Sequence, residues 1–536
     1  MVLRPLLALL AAGFSASNAD NADSFTPTLE SAGENGPQIF NAVHNAMREF
    51  GSAFQHNGMS LFLATIPEGV LLYHGTQTRE IPKSMEWLAF EIEHAQDFAR
   101  PRPPPRPRPP PNDLPRNTEV LRLSLQDANL LELAIALQDP DWPPPMPPSL
   151  PGKGYLHIYQ ASRPLKALYI DGMAAGKTDI GTLDTQDLLL TNSRNRTEWG
   201  DIERARDLCA LAKDWGIDGV IRMEPGFEMI YCNFTEGLRL ISTHTQPDRD
   251  DRGSLDGELN MRMFQWVTAA AQRYNGIGSS RVILDYSSMV SAFFYPLNLT
   301  NPDPERPELP RLTQATDAEL AVVREHIANI SLKFEAHPRN SVDWQGVTDM
   351  VVTRYGQRLP LLAITDSLSV FKHEINNLLN VYIEYSEKDE GFAAARKRCA
   401  EHYLQPASPR TLEDRLIQTG IKSTTITICT ALFEARKIVV ENSEADESSL
   451  NAGKDIIGNL MDILRWSKWK ECGPCKSDEV CFIAMWPFGN VEDHFHPSCL
   501  NISTLGGRQN YWRMPKWPPA HNRTVRPWKG LVDQRY

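Results

Sequence analysis

The spacing of apolar residues changes near residue 255, and this change limits the fold of the chain more than any other feature. Before residue 255, short apolar runs end at Gly or Pro, which is typical of β-strands. After it, apolar residues recur every three to four positions, which is typical of helices. The helical patterns cover residues 258–273, 317–333, 366–386, 390–403, 411–441 and 450–466. The sequence therefore predicts an α+β fold, with a strand-rich region followed by a mostly α-helical one.

The chain has 536 residues, which is enough for two or three domains. We predict an α+β domain over residues 37–245, a helical domain over 255–466 and a small Cys-, Trp- and Pro-rich cap over 467–536. Two proline-rich insertions interrupt the first domain, at residues 101–115 and 139–151. Proline runs donate no backbone hydrogen bonds and favour an extended left-handed helix. We interpret the first insertion as an exposed loop rather than as a ligand for a proline-binding module.

The N-terminus has the pattern of a secretory signal peptide. Arg4 precedes a short apolar run over residues 6–14, and small residues end at Ala19, so cleavage is expected after residues 1–19. No later run of about 20 apolar residues could form a stable membrane span. The net charge of -12 argues against a general nucleic-acid binder, which would normally be basic. The sequence predicts a secreted, extracellular protein.

Glycosylation signals and an even number of cysteines agree with secretion. The Asn-x-Ser/Thr sequons are at Asn195, Asn233, Asn298, Asn329, Asn501 and Asn522, and Asn233 lies in a predicted strand. The eight cysteines are Cys209, Cys232, Cys399, Cys429, Cys472, Cys475, Cys481 and Cys499. The first two are candidates for one disulfide, and the next two for another.

The last four cysteines admit two interpretations. Together with His494 and His496 they could form a zinc cluster. Behind a signal peptide, two disulfides are the favoured interpretation, but the sequence does not define their connectivity.

Three sequence blocks in the first region contain the candidate catalytic and ligand-binding residues. A His-Gly-Thr triplet follows an apolar run at residues 71–76, an aromatic and alanine-rich block covers residues 87–99, and two strand-like runs at 216–221 and 226–230 present Glu228. The order of these blocks resembles the ADP-ribosyltransferase fold, in its histidine–aromatic–glutamate branch. The resemblance covers roughly residues 55–245 and implies a split-β domain.

This resemblance implies a site that uses NAD as its substrate. Cleavage of the nicotinamide–ribose bond builds positive charge on the ribose, which Glu228 would stabilise. His74 would hold the other ribose, and Gly75 and Thr76 would line the ligand. The aromatic ring of Trp87 or Phe98 would stack on the nicotinamide.

Two positions depart from the family pattern. Trp87 replaces the usual tyrosine, so the site keeps an aromatic ring and loses a hydroxyl. Gly226 stands two residues before Glu228, where a second glutamate would support transfer to arginine. The resemblance implies mono-ADP-ribosyl transfer to a protein acceptor, or NAD hydrolysis.

Two other functions remain open: a non-catalytic secreted interaction protein on the same fold, and a secreted hydrolase unrelated to NAD with its acid in the helical region. The whole chain also resembles uncharacterised secreted proteins of fungi, which adds no mechanism.

A glycine-rich run over residues 168–178 is similar to a phosphate-binding loop. Gly172 and Gly176 are separated by three residues, one fewer than that loop requires. We therefore interpret the run as a glycine-rich turn with a solvated Lys177.

Overall fold

The structure is a computed structural model, and it describes residues 25–513 with several gaps. The gaps are residues 50, 56, 100–152, 179–182, 198, 247–254, 272–276, 278–279, 337–341, 387–391, 467–468, 507 and 509. The predicted signal peptide, both proline-rich insertions and Asn522 lie outside the described residues.

A nine-stranded curled sheet dominates the first half of the described chain. Its strands are β1 (Ser60–Ile66), β2 (Leu71–Thr76), β3 (Glu86–Ala89), β4 (Tyr155–Ala161), β5 (Leu165–Ile170), β6 (Gly219–Met223), β7 (Phe227–Tyr231), β8 (Leu238–Thr245) and β9 (Ile283–Ser291). Their spatial order is β8-β4-β2-β3-β7-β6-β5-β1-β9. All neighbours are antiparallel except β5 and β6, which are parallel. The predicted α+β class is confirmed.

The sheet includes one strand that the sequence assigned to the helical domain. Strand β9 lies within residues 255–466, and it pairs with β1, with Leu61 opposite Val290. The predicted boundary at residue 255 therefore does not separate sheet from helices, because the edge of the sheet is completed from beyond it.

Among the described residues, four α-helices accompany the first eight strands: α1 (Leu29–Glu34), α2 (Gly36–Asn45), α3 (Ile92–Phe98) and α4 (Asp201–Trp215). A π-helix, Thr185–Leu190, precedes α4. Helix α4 ends at Gly216, which has φ +68° and donates back to the carbonyls of Ala212 and Lys213. Glycine adopts this left-handed conformation without the penalty that a Cβ brings, which explains why the helix ends there.

The later helices are α5 (Leu255–Ala271), α6 (Asp317–Ser331), α7 (Trp344–Tyr355), α8 (Arg358–Ile364), α9 (Leu368–Leu379), α10 (Phe392–Glu401), α11 (Leu412–Val439) and α12 (Glu447–Leu464). The long helix α11 begins with a capping box, in which Thr411 and Asp414 satisfy each other's backbone amides. Its buried face contacts α2, α10 and α12. The helical region thus packs against the N-terminal helices as well as against itself.

The described part of the C-terminal segment contains two short strands and two short helices: β10 (Val480–Phe482), β11 (Ser498–Leu500), α13 (Val491–Phe495) and α14 (Ile502–Leu505). Two disulfides hold it together, Cys472–Cys481 and Cys475–Cys499. The zinc alternative at these cysteines, with His494 and His496, is therefore wrong, because sulfurs bonded to each other are not thiolate ligands.

Both pairings suggested for the other cysteines are confirmed. Cys209 of α4 bonds to Cys232, which directly follows β7, and Cys399 of α10 bonds to Cys429 of α11. Each disulfide joins two elements that already pack together.

Candidate functional site

Glu228 lies in β7, opposite Ala89 of β3 and opposite Arg222 of β6. Its side chain is buried, with only 4% of the residue exposed. Burial disfavours the charged carboxylate and raises the pKa of Glu228 to about 7, although Arg222 acts in the opposite direction. The alternation of strand residues placed Glu228 on a pocket surface, but the structure encloses it.

Arg222 is the ionic partner of Glu228. Its Nε donates to Glu228 Oε1 at 2.7 Å, and a terminal nitrogen donates to Gln186 Oε1 at 3.0 Å. Gln186 belongs to the π-helix, in which all residues are buried. Single turns of π-helix are rare and frequently occur at functional sites, and here the turn directs a polar side chain into the sheet.

Lys177 is buried, contrary to the solvated position that the sequence suggested. It is 1% exposed, and its Nζ lies 2.7 Å from Glu224 Oε1 and 2.8 Å from Asp201 Oδ2. The indole ring of Trp486, from the C-terminal segment, lies 5.0 Å from the ammonium group. An ammonium group can be buried when carboxylates pair with it and an aromatic face covers it.

Arg204, in the first turn of α4, extends the charged network. It donates to both carboxylate oxygens of Asp187 at 2.8 Å and to Asp201 Oδ1 at 3.0 Å. We call the connected residues the ion cluster; its members are Lys177, Asp187, Asp201, Arg204, Arg222, Glu224 and Glu228. Three cations thus face four carboxylates at the start of α4, and Arg196 adds a fourth cation beside Asp187. Every carboxylate of the ion cluster therefore has a cationic partner within the protein.

His94 of α3 adjoins the ion cluster. Its Nε2 lies 3.9 Å from Glu228 Oε2, and Trp266 of α5 stacks on its ring at 4.9 Å. Ligand atoms of His94, Glu224 and Glu228 lie within 4.8 Å of one another, a donor set that suits a divalent cation by type. However, Lys177 and Arg222 already neutralise the two glutamates, so the charge that would attract a metal ion is already compensated.

His74 does not reach Glu228, because the two side chains leave opposite faces of the sheet. Tyr73 pairs with Ala89, and Ala89 pairs with Glu228, so these three residues share one face. His74 follows Tyr73 and therefore lies on the other face. The single pocket expected around His74 and Glu228 is not formed.

On its own face, His74 is a buried neutral histidine. Its Nδ1 donates to the backbone carbonyl of Trp87 at 2.8 Å, and its ring adjoins His157 and Phe234. Burial lowers the pKa of His74 to about 4, more than the bond to Trp87 raises it. These contacts are typical of a core histidine.

Gly75 allows a helix, rather than a ligand, to approach the strand. A Cβ at this position would lie 2.0 Å from the carbonyl oxygen of Ala95 and 2.6 Å from the nitrogen of Ala99. Helix α3 therefore occupies the space that the sequence assigned to NAD. Thr76 is half-buried, and its hydroxyl accepts a hydrogen bond from the backbone of Thr78.

The two aromatic residues expected to stack on nicotinamide are Trp87 and Phe98. Trp87 shares the face of Glu228 by strand alternation and is 9% exposed. Phe98 is the last residue of α3, and its ring lies 5.7 Å from that of His94. Trp87 and Phe98 are therefore already packed within the protein.

Open surface grooves lie elsewhere. One of about 550 Å³ separates α4 from α6 and includes the end of the π-helix. Another, of about 490 Å³, lies beside α7 and is lined by Asp349, Arg354, Arg358 and Tyr403. Neither groove is lined by any predicted site residue.

The described sequons lie at or near the surface. Asn195, Asn233, Asn298 and Asn329 are exposed, and Asn501 is partly exposed at the start of α14. Asn233 follows β7 in a turn rather than lying in a strand, so its predicted strand position is wrong.

Comparison with known proteins finds a family model that matches the region containing the ion cluster. Residues 18–123 and 138–258 match the YPL277C N-terminal domain family. The matched residues include β1 to β8. The match does not extend to β9 or to most of the helical region.

Two uncharacterised proteins of Saccharomyces cerevisiae (strain ATCC 204508 / S288c) are similar to the chain. YOR389W is 26% identical over 89% of this chain and 89% of its own length. YPL277C is 28% identical over 65% of this chain and 78% of its own length. No solved structure matches. These findings agree with the resemblance to uncharacterised fungal proteins and contain no evidence for an ADP-ribosyltransferase.

The sequence alone missed most of the ion cluster. Arg222, in the strand before Glu228, was the available signal. Residues of opposite charge stabilise each other when they lie opposite on paired strands, as Arg222 and Glu228 do. Lys177 and Arg204 gave no such signal, because their partners are distant in sequence or lie on a helix.

None of the described helices is both long enough and apolar enough to cross a membrane.

Proposed function

We propose that the chain is a secreted, glycosylated interaction protein in which Glu228 has a structural role. The observation that carries this proposal is the enclosure of the Glu228 carboxylate, which is ion-paired to Arg222 at 2.7 Å and 4% exposed. A catalytic carboxylate must reach the ribose of its substrate, and this one is occupied by a guanidinium.

NAD cleavage through Glu228 would require the ion cluster to open. Helix α3 contacts β2 at Gly75, and Trp266 covers His94. Breaking the Arg222–Glu228 pair would leave an uncompensated buried charge, which typically costs about 3–5 kcal/mol. Binding of NAD would have to supply this free energy before any chemistry began.

Secretion is supported by the covalent structure. Four disulfides are present and no free cysteine remains among the described residues. Disulfides persist in oxidising compartments and are rare in the cytosol. The surface position of the described sequons is compatible with glycan attachment.

The decisive experiment measures nicotinamide release from NAD by the purified protein. We expect the wild type, Glu228→Gln and the control Glu236→Gln, a change at an exposed glutamate, to give the same background rate. Circular dichroism would confirm that each variant is folded. Release by the wild type that Glu228→Gln abolishes and Glu236→Gln retains would overturn the proposal and restore the NAD interpretation.

A further inference from the structure

The groove between α4 and α6 has a chemistry of its own, which the ion cluster does not explain. Its apolar lining comes from residues such as Leu190, Leu211 and Ala321. Three carboxylates and one guanidinium complete it: Asp207, Asp214, Glu325 and Arg324. The volume of about 550 Å³ lies within the range of ligand sites in proteins.

The acidic side chains of this groove are largely available. Asp207 is paired with Arg196, and Arg324 donates to the carbonyl of Leu189 at 2.6 Å, which anchors α6 to the π-helix. Asp214 and Glu325 are both exposed and form no ion pair with a described residue. The groove therefore presents two carboxylates, on facing helices, to a cationic ligand.

Trp215 adds a polar group to the apolar wall. It is 8% exposed and lies at the end of α4, just before the left-handed turn at Gly216. Its indole nitrogen makes no hydrogen bond to another described residue. Indole N–H groups usually find an acceptor when they are buried, so a ligand that covers Trp215 would have to offer one, such as a carbonyl group.

These features match the chemistry of a proline- and arginine-rich chain. Such segments form an extended helix of about three residues per turn, with unpaired carbonyl groups along it. Aromatic-lined grooves recognise them by packing against proline rings, and carboxylates at the rim add contacts to arginine. Arginine also pairs well with aromatic faces.

This chain contains one such segment. Residues 101–111 consist of eight prolines and three arginines, Arg102, Arg106 and Arg108, in a protein whose net charge is -12. The segment begins three residues after the end of α3, so it is covalently tethered to the sheet. Where a linker spans the two sites, tethering gives an effective concentration in the millimolar range, which makes even a weak contact significant.

We propose that the groove between α4 and α6 binds the arginine–proline segment 101–111 of the same chain. Asp214 and Glu325 pair with its arginines, the indole N–H of Trp215 donates to a backbone carbonyl, and the apolar wall contacts the proline rings. This inference does not rest on the proposed function, because neither the groove nor the segment involves Glu228.

The test uses the full chain and a fluorescent synthetic peptide that spans residues 99–113. In the variant R102E/R106E/R108E, the groove is free of its own segment, and we expect the peptide to bind with a rise in fluorescence anisotropy. The wild type should bind the peptide at least about tenfold more weakly, because its tethered segment competes.

Charge reversals then locate the binding site. In the R102E/R106E/R108E background, D214K and E325K should each weaken peptide binding by about tenfold, which corresponds to one lost charge-assisted contact. E203K is the matched control, because Glu203 is exposed on the same α4 but does not line the groove. Binding by E203K should equal that of the background variant.

Three results would overturn the proposal. The first is no peptide binding by R102E/R106E/R108E, and the second is equal peptide binding by R102E/R106E/R108E and the wild type. The third is equal peptide binding by D214K, E325K and E203K in that background. Sedimentation of the wild type supplies a further check. A concentration-dependent dimer that R102E/R106E/R108E abolishes would place the segment in the groove of a second copy instead of its own.

Discussion

The two faces of the sheet around β3 and β7 differ in the partners that they give to buried ionisable residues. On the face covered by α3 and the start of α4, buried ionisable residues have partners of opposite charge, as Glu228 has in Arg222, although burial still raises the pKa of Glu228 to about 7. On the other face, burial lowers the pKa of His74 to about 4 and raises the pKa of Glu86 to about 7.

The difference follows from the available partners. Burial disfavours every charged form, and only a nearby opposite charge or several hydrogen bonds can compensate. The ion cluster supplies such charges from β6, α4 and the π-helix, whereas around His74 the neighbours are His157, Phe234 and a backbone carbonyl. Loss of a partner should therefore matter most on the first face, whereas on the second face no partner of opposite charge opposes the effect of pH on stability.

The largest effect is expected from Arg222→Met. This change leaves Glu228 buried without its cation and should lower the free energy of unfolding by roughly 3–5 kcal/mol. Urea unfolding followed by circular dichroism measures it. Lys213→Met, at an exposed position of α4, is the control and should change stability by less than about 0.5 kcal/mol. An equal loss in the two variants would contradict a special role for the buried pair.

The double variant Arg222→Met/Glu228→Leu sharpens the comparison. Replacing both partners removes the unpaired charge, so the double variant should regain about half or more of the stability that Arg222→Met loses. The same urea experiment, run as a double-mutant cycle, measures the coupling between the two sites. Additive losses would mean that the two side chains act independently.

On the opposite face, His74→Asn should flatten the pH dependence of stability. The folded pKa of His74, about 4, lies below its ordinary value of 6.5. The stabilisation is therefore present above pH 6.5 and lost as the pH falls through 4, by about 3 kcal/mol. Asparagine does not titrate, so the variant should lack this part of the loss in urea unfolding between pH 7 and 4. His244→Asn, an exposed control, should keep the profile of the wild type.

The smallest effect is expected at Glu86, which is only partly buried. Its folded pKa of about 7 exceeds the ordinary 4.5, so its stabilisation is present below pH 4.5 and lost as the pH rises through 7. Between pH 4.5 and pH 8 the wild type should therefore lose about 1 kcal/mol of its free energy of unfolding, after allowance for solvent screening, and Glu86→Gln should not. Thermal melts of the wild type and Glu86→Gln at these two pH values measure this change, with Glu80→Gln as the exposed control. A difference between the wild type and Glu86→Gln that is the same at both pH values would contradict the prediction.

Local patterns predicted the larger features of the fold correctly. Strand-length apolar runs, the helical spacing after residue 255 and the pairing of Cys209 with Cys232 all depend on residues that are close in sequence or lie on adjacent elements. β9 escaped prediction because its strand character depends on pairing with β1, which is distant in the chain.

The site could be predicted only in part, because alternation in a strand indicates a face but not what covers it. Glu228 does share a face with Trp87, as the sequence implied. That face is covered by α3 and, near Lys177, by Trp486 from the C-terminal segment. A glycine such as Gly75 is equally compatible with a ligand and with a closely packed helix, and no local signal separates the two.

The position of β9 has a consequence for biosynthesis. During translation β1 emerges early, yet its outer neighbour is made only after α5. Until then one edge of the sheet offers unpaired backbone groups to any other strand, which is a known route to aggregation. A recombinant fragment cut at residue 258, where the family match ends, would keep that edge exposed permanently. The region that the family model matches is therefore shorter than the region that must be synthesised before the sheet is complete.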